Sequence, residues 1–111
     1  MTDRERRLAE NEAAFRDVNE SLRYVAAQGT ATVQTMRLVC ECGDPGCSEF
    51  VDVTLTEYEQ VRAVSTHFIV RPGHVAPDVE RVVVENDRFV VVEKRPGDPA
   101  DIAEATDPRS D

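Results

Sequence analysis

The sequence predicts an α+β fold: a long N-terminal amphipathic helix followed by a small antiparallel β domain with a zinc knuckle, and then a disordered acidic tail. The β domain is expected to contain two hairpins and one short helix. Three observations predict this. Leu8, Phe15 and Leu22 recur at heptad spacing within a charged stretch, as in a helix with one apolar seam. Short β-branched runs (FVDVTL, FIV, RVVV, FVVV) follow, separated by turn residues. Between the first two predicted strands lies CECGDPGC, residues 40–47, which holds every cysteine of the chain.

The elements follow in order. Residues 1–28 read as the helix, with Val18 and Val25 completing the seam, Asn11 interrupting it and Gly29 placed to end it. Fewer than three and a half heptads make a marginal free coiled coil. The helix therefore either packs on its own domain or takes a partner, either another protein or a second copy of the chain as a homodimer. GTATVQT, residues 29–35, is small and polar and reads as a linker. The zinc-binding α+β domain spans residues 36–94. MRLVC enters the cysteine turn and FVDVTL leaves it, which makes a hairpin with the thiols at its tip. Thr56 followed by Glu59 forms a capping-box pattern that opens a helix over Glu57–Val64. Phe68, Ile69 and Val70 predict a strand stopped by Arg71-Pro72-Gly73, and ERVVVE and RFVVVEK predict a hairpin turning at Asn86-Asp87. The prolines and charges of residues 95–111 predict a mostly disordered acidic tail with one helical turn near Ile102–Ala105.

Composition removes several classes of function. The formal net charge is −9 and no segment carries a basic stripe, so a nucleic-acid partner is not expected. The first residues, MTDRERRLAE, lack the apolar stretch of a signal peptide, and the longest apolar runs fall far short of a membrane span. A cytoplasmic protein with no membrane association is expected, in a reducing compartment where disulfides rarely persist. A domain of this size often requires a staple, and a metal is the one compatible with three thiols.

The pattern C-x-C-x4-C sits on a backbone that Gly43, Pro45 and Gly46 allow to wrap tightly. Three thiolates this close repel one another unless a cation lies between them, and zinc takes four tetrahedral sulfur or nitrogen ligands. The expected metal set is Cys40, Cys42, Cys47 and His74. His74 follows Pro72-Gly73 in a loop that leaves its imidazole free to be aimed. His67 is the weaker histidine because strand alternation places it opposite Phe68 and Val70. Asp44, Glu41, a water or a cysteine from a second chain are the remaining alternatives. Buried filler thiols fit poorly among so many polar neighbours. A Cys42–Cys47 redox pair would have its thiol pKa values raised by Glu41, Asp44 and Glu49, which is wrong for a reactive cysteine.

CECGDPGC resembles the zinc knuckle of the post-SET module of lysine methyltransferases, which implies a three-cysteine zinc site completed by a ligand from elsewhere. This likeness covers eight residues and carries no methyl transfer with it. ENEAAFRDVNESLR, CECGDPGC, FIVRPGH, RFVVVEK and EATDPR together resemble a family of small uncharacterised actinobacterial proteins. That resemblance implies a recurring architecture that includes the Pro-Gly-His stretch, and it implies no reaction. A site of three sulfurs and one nitrogen is typically closed and structural. Glu41 or Glu49 would be the base of a zinc hydrolase, but the chain has no deaminase, zincin, hydrolase-elbow or phosphate-loop motif. The expectation is therefore a non-enzymatic, zinc-stabilised adaptor for a protein partner. A thiol-based redox or zinc-responsive switch is the alternative.

Overall fold

The computed structural model describes residues 2–27 and 35–109. The elements run α1 (Asp3–Ala27), β1 (Met36–Val39), β2 (Phe50–Val53), α2 (Leu55–Arg62), β3 (His67–Val70), β4 (Glu80–Glu85), β5 (Val90–Lys94) and α3 (Asp98–Ala105). The α+β class and the long N-terminal helix are as expected. The predicted linker, apart from Thr35, lies outside the described residues.

Strands β1 and β2 form an antiparallel hairpin in which Leu38 faces Val51 and Met36 faces Val53. Alternation puts these four side chains on one face, where they pack with Tyr58, Val61, Ile69, Phe89 and Val91. The second sheet has the order β3-β5-β4, again antiparallel. Its other face carries Phe68, Val70, Val90 and Val92, which pack with Cys40, Cys42 and Ala103 of α3. The central sheet is thus covered on both sides, and the cysteine turn lies on one of them. In the β4–β5 hairpin the Asn86 side-chain oxygen accepts from the backbone N–H groups of Arg88 and Phe89, which fixes the expected turn.

Two expectations need correction. The short helix opens two residues earlier than predicted. Thr54 is the N-cap, its hydroxyl accepts from Glu57 N at 3.1 Å, and Glu57 returns a bond to Thr54 N at 2.8 Å. TLTE and TEYE are both capping-box patterns. The observed register places Tyr58 and Val61 in the core and leaves Leu55 at the surface. The tail also differs, because residues 98–105 form a full helix in place of a single turn within disorder. Pro99 lies in the first turn of α3, where its missing N–H costs no hydrogen bond, and Ala100 and Ala103 are buried.

The packing face of α1 is not the apolar seam. The buried residues are Ala9, Glu12, Ala13, Arg16 and Asn19, while Val18, Leu22 and Val25 are exposed and Leu8 and Phe15 lie between. This face docks through polar bonds. The Asn19 side chain donates to Val39 O and to Glu41 Oε2, and accepts from Val39 N. Arg16 donates to Ser65 O and Ala103 O and lies 4.7 Å from the centre of the Phe68 ring. Glu12 and Glu80 share the ammonium of Lys94, and all three are buried. Burial lifts the Glu12 carboxyl to about 8, Lys94 opposing the shift and Glu80 adding to it.

Two outcomes follow. Asn19→Ala strands Val39 N–H, Val39 C=O and one Glu41 oxygen, and should destabilise by about 2–4 kcal/mol, whereas Leu22→Ala should cost less than about 1 kcal/mol. Chemical denaturation of the two variants checks this. Between roughly pH 4.5 and 8 the folded protein keeps a Glu12 proton that the unfolded chain has released, so stability should fall as pH rises through that window. Melting curves of Glu12→Gln over the same range should be flatter than those of the parent; parallel curves would contradict the assignment.

Candidate metal centre

The extended segment after β1 alternates its side chains, so Cys40 and Cys42 point one way and Glu41 the other. Cys40 N donates to Glu49 O at 3.1 Å, which closes the neck of the cysteine turn. At its far end Cys47 N donates to Asp44 O, and the Asp44 carboxylate accepts from Gly46 N at 2.8 Å. This tight bend swings Cys47 back toward the first two thiols. Gly43 has φ +80°, and a Cβ there would lie 2.7 Å from the Leu8 and Glu12 side chains and 2.8 Å from Leu8 O. The turn is therefore pressed against α1 at a point where no side chain fits. Asn11, the interruption of the apolar seam, donates to Gly43 O at 3.0 Å.

His74 reaches the thiols from a second turn. Its N–H donates to Arg71 O at 3.0 Å, with Pro72 and a left-handed Gly73 at φ +88° between them, the pattern of a type II turn. Nδ1 of His74 lies 3.6 Å from both Cys40 Sγ and Cys47 Sγ. The ligand atoms of Cys40, Cys42, Cys47 and His74 all lie within 4.8 Å of one another. A tetrahedral ion with metal–sulfur bonds of about 2.3 Å and metal–nitrogen bonds of about 2.0–2.1 Å separates S and N by about 3.6 Å. The four residues can hold a metal ion of that kind.

Two of the alternative ligands, His67 and Glu41, are engaged elsewhere, as is Glu49. His67 Nε2 lies 3.0 Å from Glu93 Oε2 on the neighbouring strand. Glu41 is fully buried on the side away from the thiols, and accepts from Asn19, from Arg62 at 3.0 Å and from Ile69 N at 3.0 Å. Glu49 faces the Arg71 guanidinium at 3.9 Å. Cys40 and Cys42 are buried, and Cys47 and His74 are half-buried. Burial pushes the Cys40 and Cys42 thiols up, while backbone N–H groups, from Arg71 for Cys40 and Asp44 for Cys42, act against it. Two buried thiols held protonated are poor nucleophiles, and a divalent cation is what would bring them to the thiolate form.

The residues that sequence reasoning missed are the ones that position this site. Asn11, Asn19 and Gly43 carry no metal-ligand chemistry. Of these Asn11 left a mark as a polar residue inside the heptad pattern and Gly43 as a turn residue, though not its contact with α1; Asn19 left none. No protein-family model, curated protein or solved structure matches the chain. Among the described residues no helix is long and apolar enough to cross a membrane.

His74→Ala should lose its metal to a mild chelator and melt earlier, because a structural metal contributes its binding free energy to folding. His67→Ala removes a contact with Glu93 at the sheet surface and should keep both metal and melting temperature. The reverse result would assign the wrong histidine.

Proposed function

We propose that the chain is a small zinc-stabilised protein-interaction module, in which Cys40, Cys42, Cys47 and His74 form a closed structural site. The observation that carries this reading is the convergence of three thiols and one imidazole within 4.8 Å of one another, with His74 Nδ1 3.6 Å from two of the sulfurs. Three thiolates favour zinc over magnesium or calcium, and a complete sulfur and nitrogen set leaves no position open for a reacting water. Glu41, the nearest carboxylate in sequence, is bound to Asn19, Arg62 and Ile69 and is no general base for the centre. These features favour a non-enzymatic role in the reducing cytoplasm. Val18, Leu22 and Val25 form an exposed stripe on α1, the natural face for a protein partner or for a second copy of the chain.

One observation favours a second reading, a redox or zinc-responsive switch. The segment that carries Cys40 and Cys42 also holds α1 through Glu41 and Gly43, so metal loss would loosen the helix. Half-buried Cys47 is the thiol an oxidant would reach first.

Elemental analysis of freshly reduced protein should find about one zinc per chain, and cobalt exchange should give the absorption of a tetrahedral sulfur–nitrogen site. Absence of bound metal would overturn the reading. Zinc held under mild peroxide supports the structural role, and ready release supports the switch.

A further inference from the structure

A cleft of about 550 Å³ opens directly beside the metal centre. One wall is the first two turns of α1, with Arg4, Arg7 and Leu8, and the other is formed by the two ligand-bearing turns, with Cys42, His74 and Val75. Its size lies within the range of small-molecule sites, roughly 300–1,000 Å³. We propose that this cleft binds a small organic anion, a carboxylate carried on an apolar body, with Arg7 as the residue that recognises the charge.

Three observations carry the proposal. Arg7 is, among the described residues, the one basic side chain with neither a hydrogen bond nor an ion pair. In a chain of net charge −9 an unpaired guanidinium at a cleft is an exception, and a planar fork of donors matches a carboxylate in two-point contact. Asp44, the acid on the rim, makes no ion pair or hydrogen bond with Arg7; its carboxylate accepts from Gly46 N. Leu8 and Val75 add apolar surface beside the charge, which suits an acyl or aryl group better than a bare inorganic ion. The competing explanation is electrostatic: three thiolates and a neutral imidazole around a divalent ion carry one net negative charge, which Arg7 would balance.

The test uses the full-length, metal-loaded protein and follows backbone amide resonances of Gly43, Gly73 and Val75 during titration with benzoate, benzamide or inorganic phosphate. Benzoate should give saturable shifts at all three amides. Benzamide, with the same ring and no charge, and phosphate, with charge and no ring, should each bind at least about tenfold more weakly. Arg7→Ala, a change at an exposed position, should weaken benzoate binding about tenfold and leave metal content unchanged. Equal binding of benzoate and benzamide, unchanged benzoate binding by Arg7→Ala, or no saturable shift with any probe would overturn the proposal. Phosphate binding as tightly as benzoate would overturn its apolar component. Loss of metal from Arg7→Ala would establish the electrostatic explanation in its place. The proposal rests on the metal reading only for the shape of the two turns, and the metal content of the starting protein reports on that reading separately.

Discussion

The carboxylate of Glu41 is the constraint on which the rest of the structure depends. It sits between Cys40 and Cys42 with no exposure to solvent, where an unpaired charge would be very costly. Its three donors come from three different elements: Asn19 of α1, Arg62 of α2 and the backbone of Ile69 in β3. Removing one partner from a buried ion pair typically costs about 3–5 kcal/mol, so the segment cannot shift without breaking the junction. Alternation then does the rest. With Glu41 fixed on the inside, Cys40 and Cys42 must share the opposite face, and the turn at Gly43–Cys47 brings the third thiol to them. The Cys/His cluster and the docking of α1 are two sides of one short extended segment.

The layer between α1 and the central sheet is ionic where an apolar seam would be ordinary. The Phe68 ring is approached by Arg16 at 4.7 Å, Lys94 at 5.5 Å and Arg62 at 5.8 Å, each within reach of a cation–π attraction. Glu80 and Glu41 supply the opposite charges, and Glu12 shares the Lys94 ammonium with Glu80. Such networks contribute less net stability than a hydrophobic layer of equal volume, but they tolerate only one arrangement of their members. This fits a helix that leaves Val18, Leu22 and Val25 exposed while Leu8 and Phe15 are half-buried.

The clustering of Cys40, Cys42, Cys47 and His74 was readable because thiol spacing and the Pro-Gly turn before His74 act locally. The strands were readable because FVDV alternates and FIV is a short apolar run closed by Arg71-Pro72-Gly73. The docking face of α1 was not readable in the same way. Leu8, Phe15, Val18, Leu22 and Val25 produce a clean seam, yet the surface offered by the domain consists of the Val39 backbone, Glu41 and Lys94, and hydropathy carries no signal for that match. The capping register was ambiguous between Thr54 and Thr56 until the packing of Tyr58 and Val61 decided it. Helix α3 was hidden because its charges resemble those of a disordered tail, while its buried side chains are Ala100 and Ala103, and Arg16 ties its end to α1 through Ala103 O and the Thr106 hydroxyl.

The central claim is that the metal and the helix are coupled through residues 40–43. The most direct measurement is hydrogen exchange of the α1 amides in metal-loaded protein and in protein stripped by a chelator. Coupling predicts that protection around Asn11 to Asn19 falls together with protection of the cysteine turn when metal is removed. Loss of protection confined to the turn, with α1 unchanged, would contradict it.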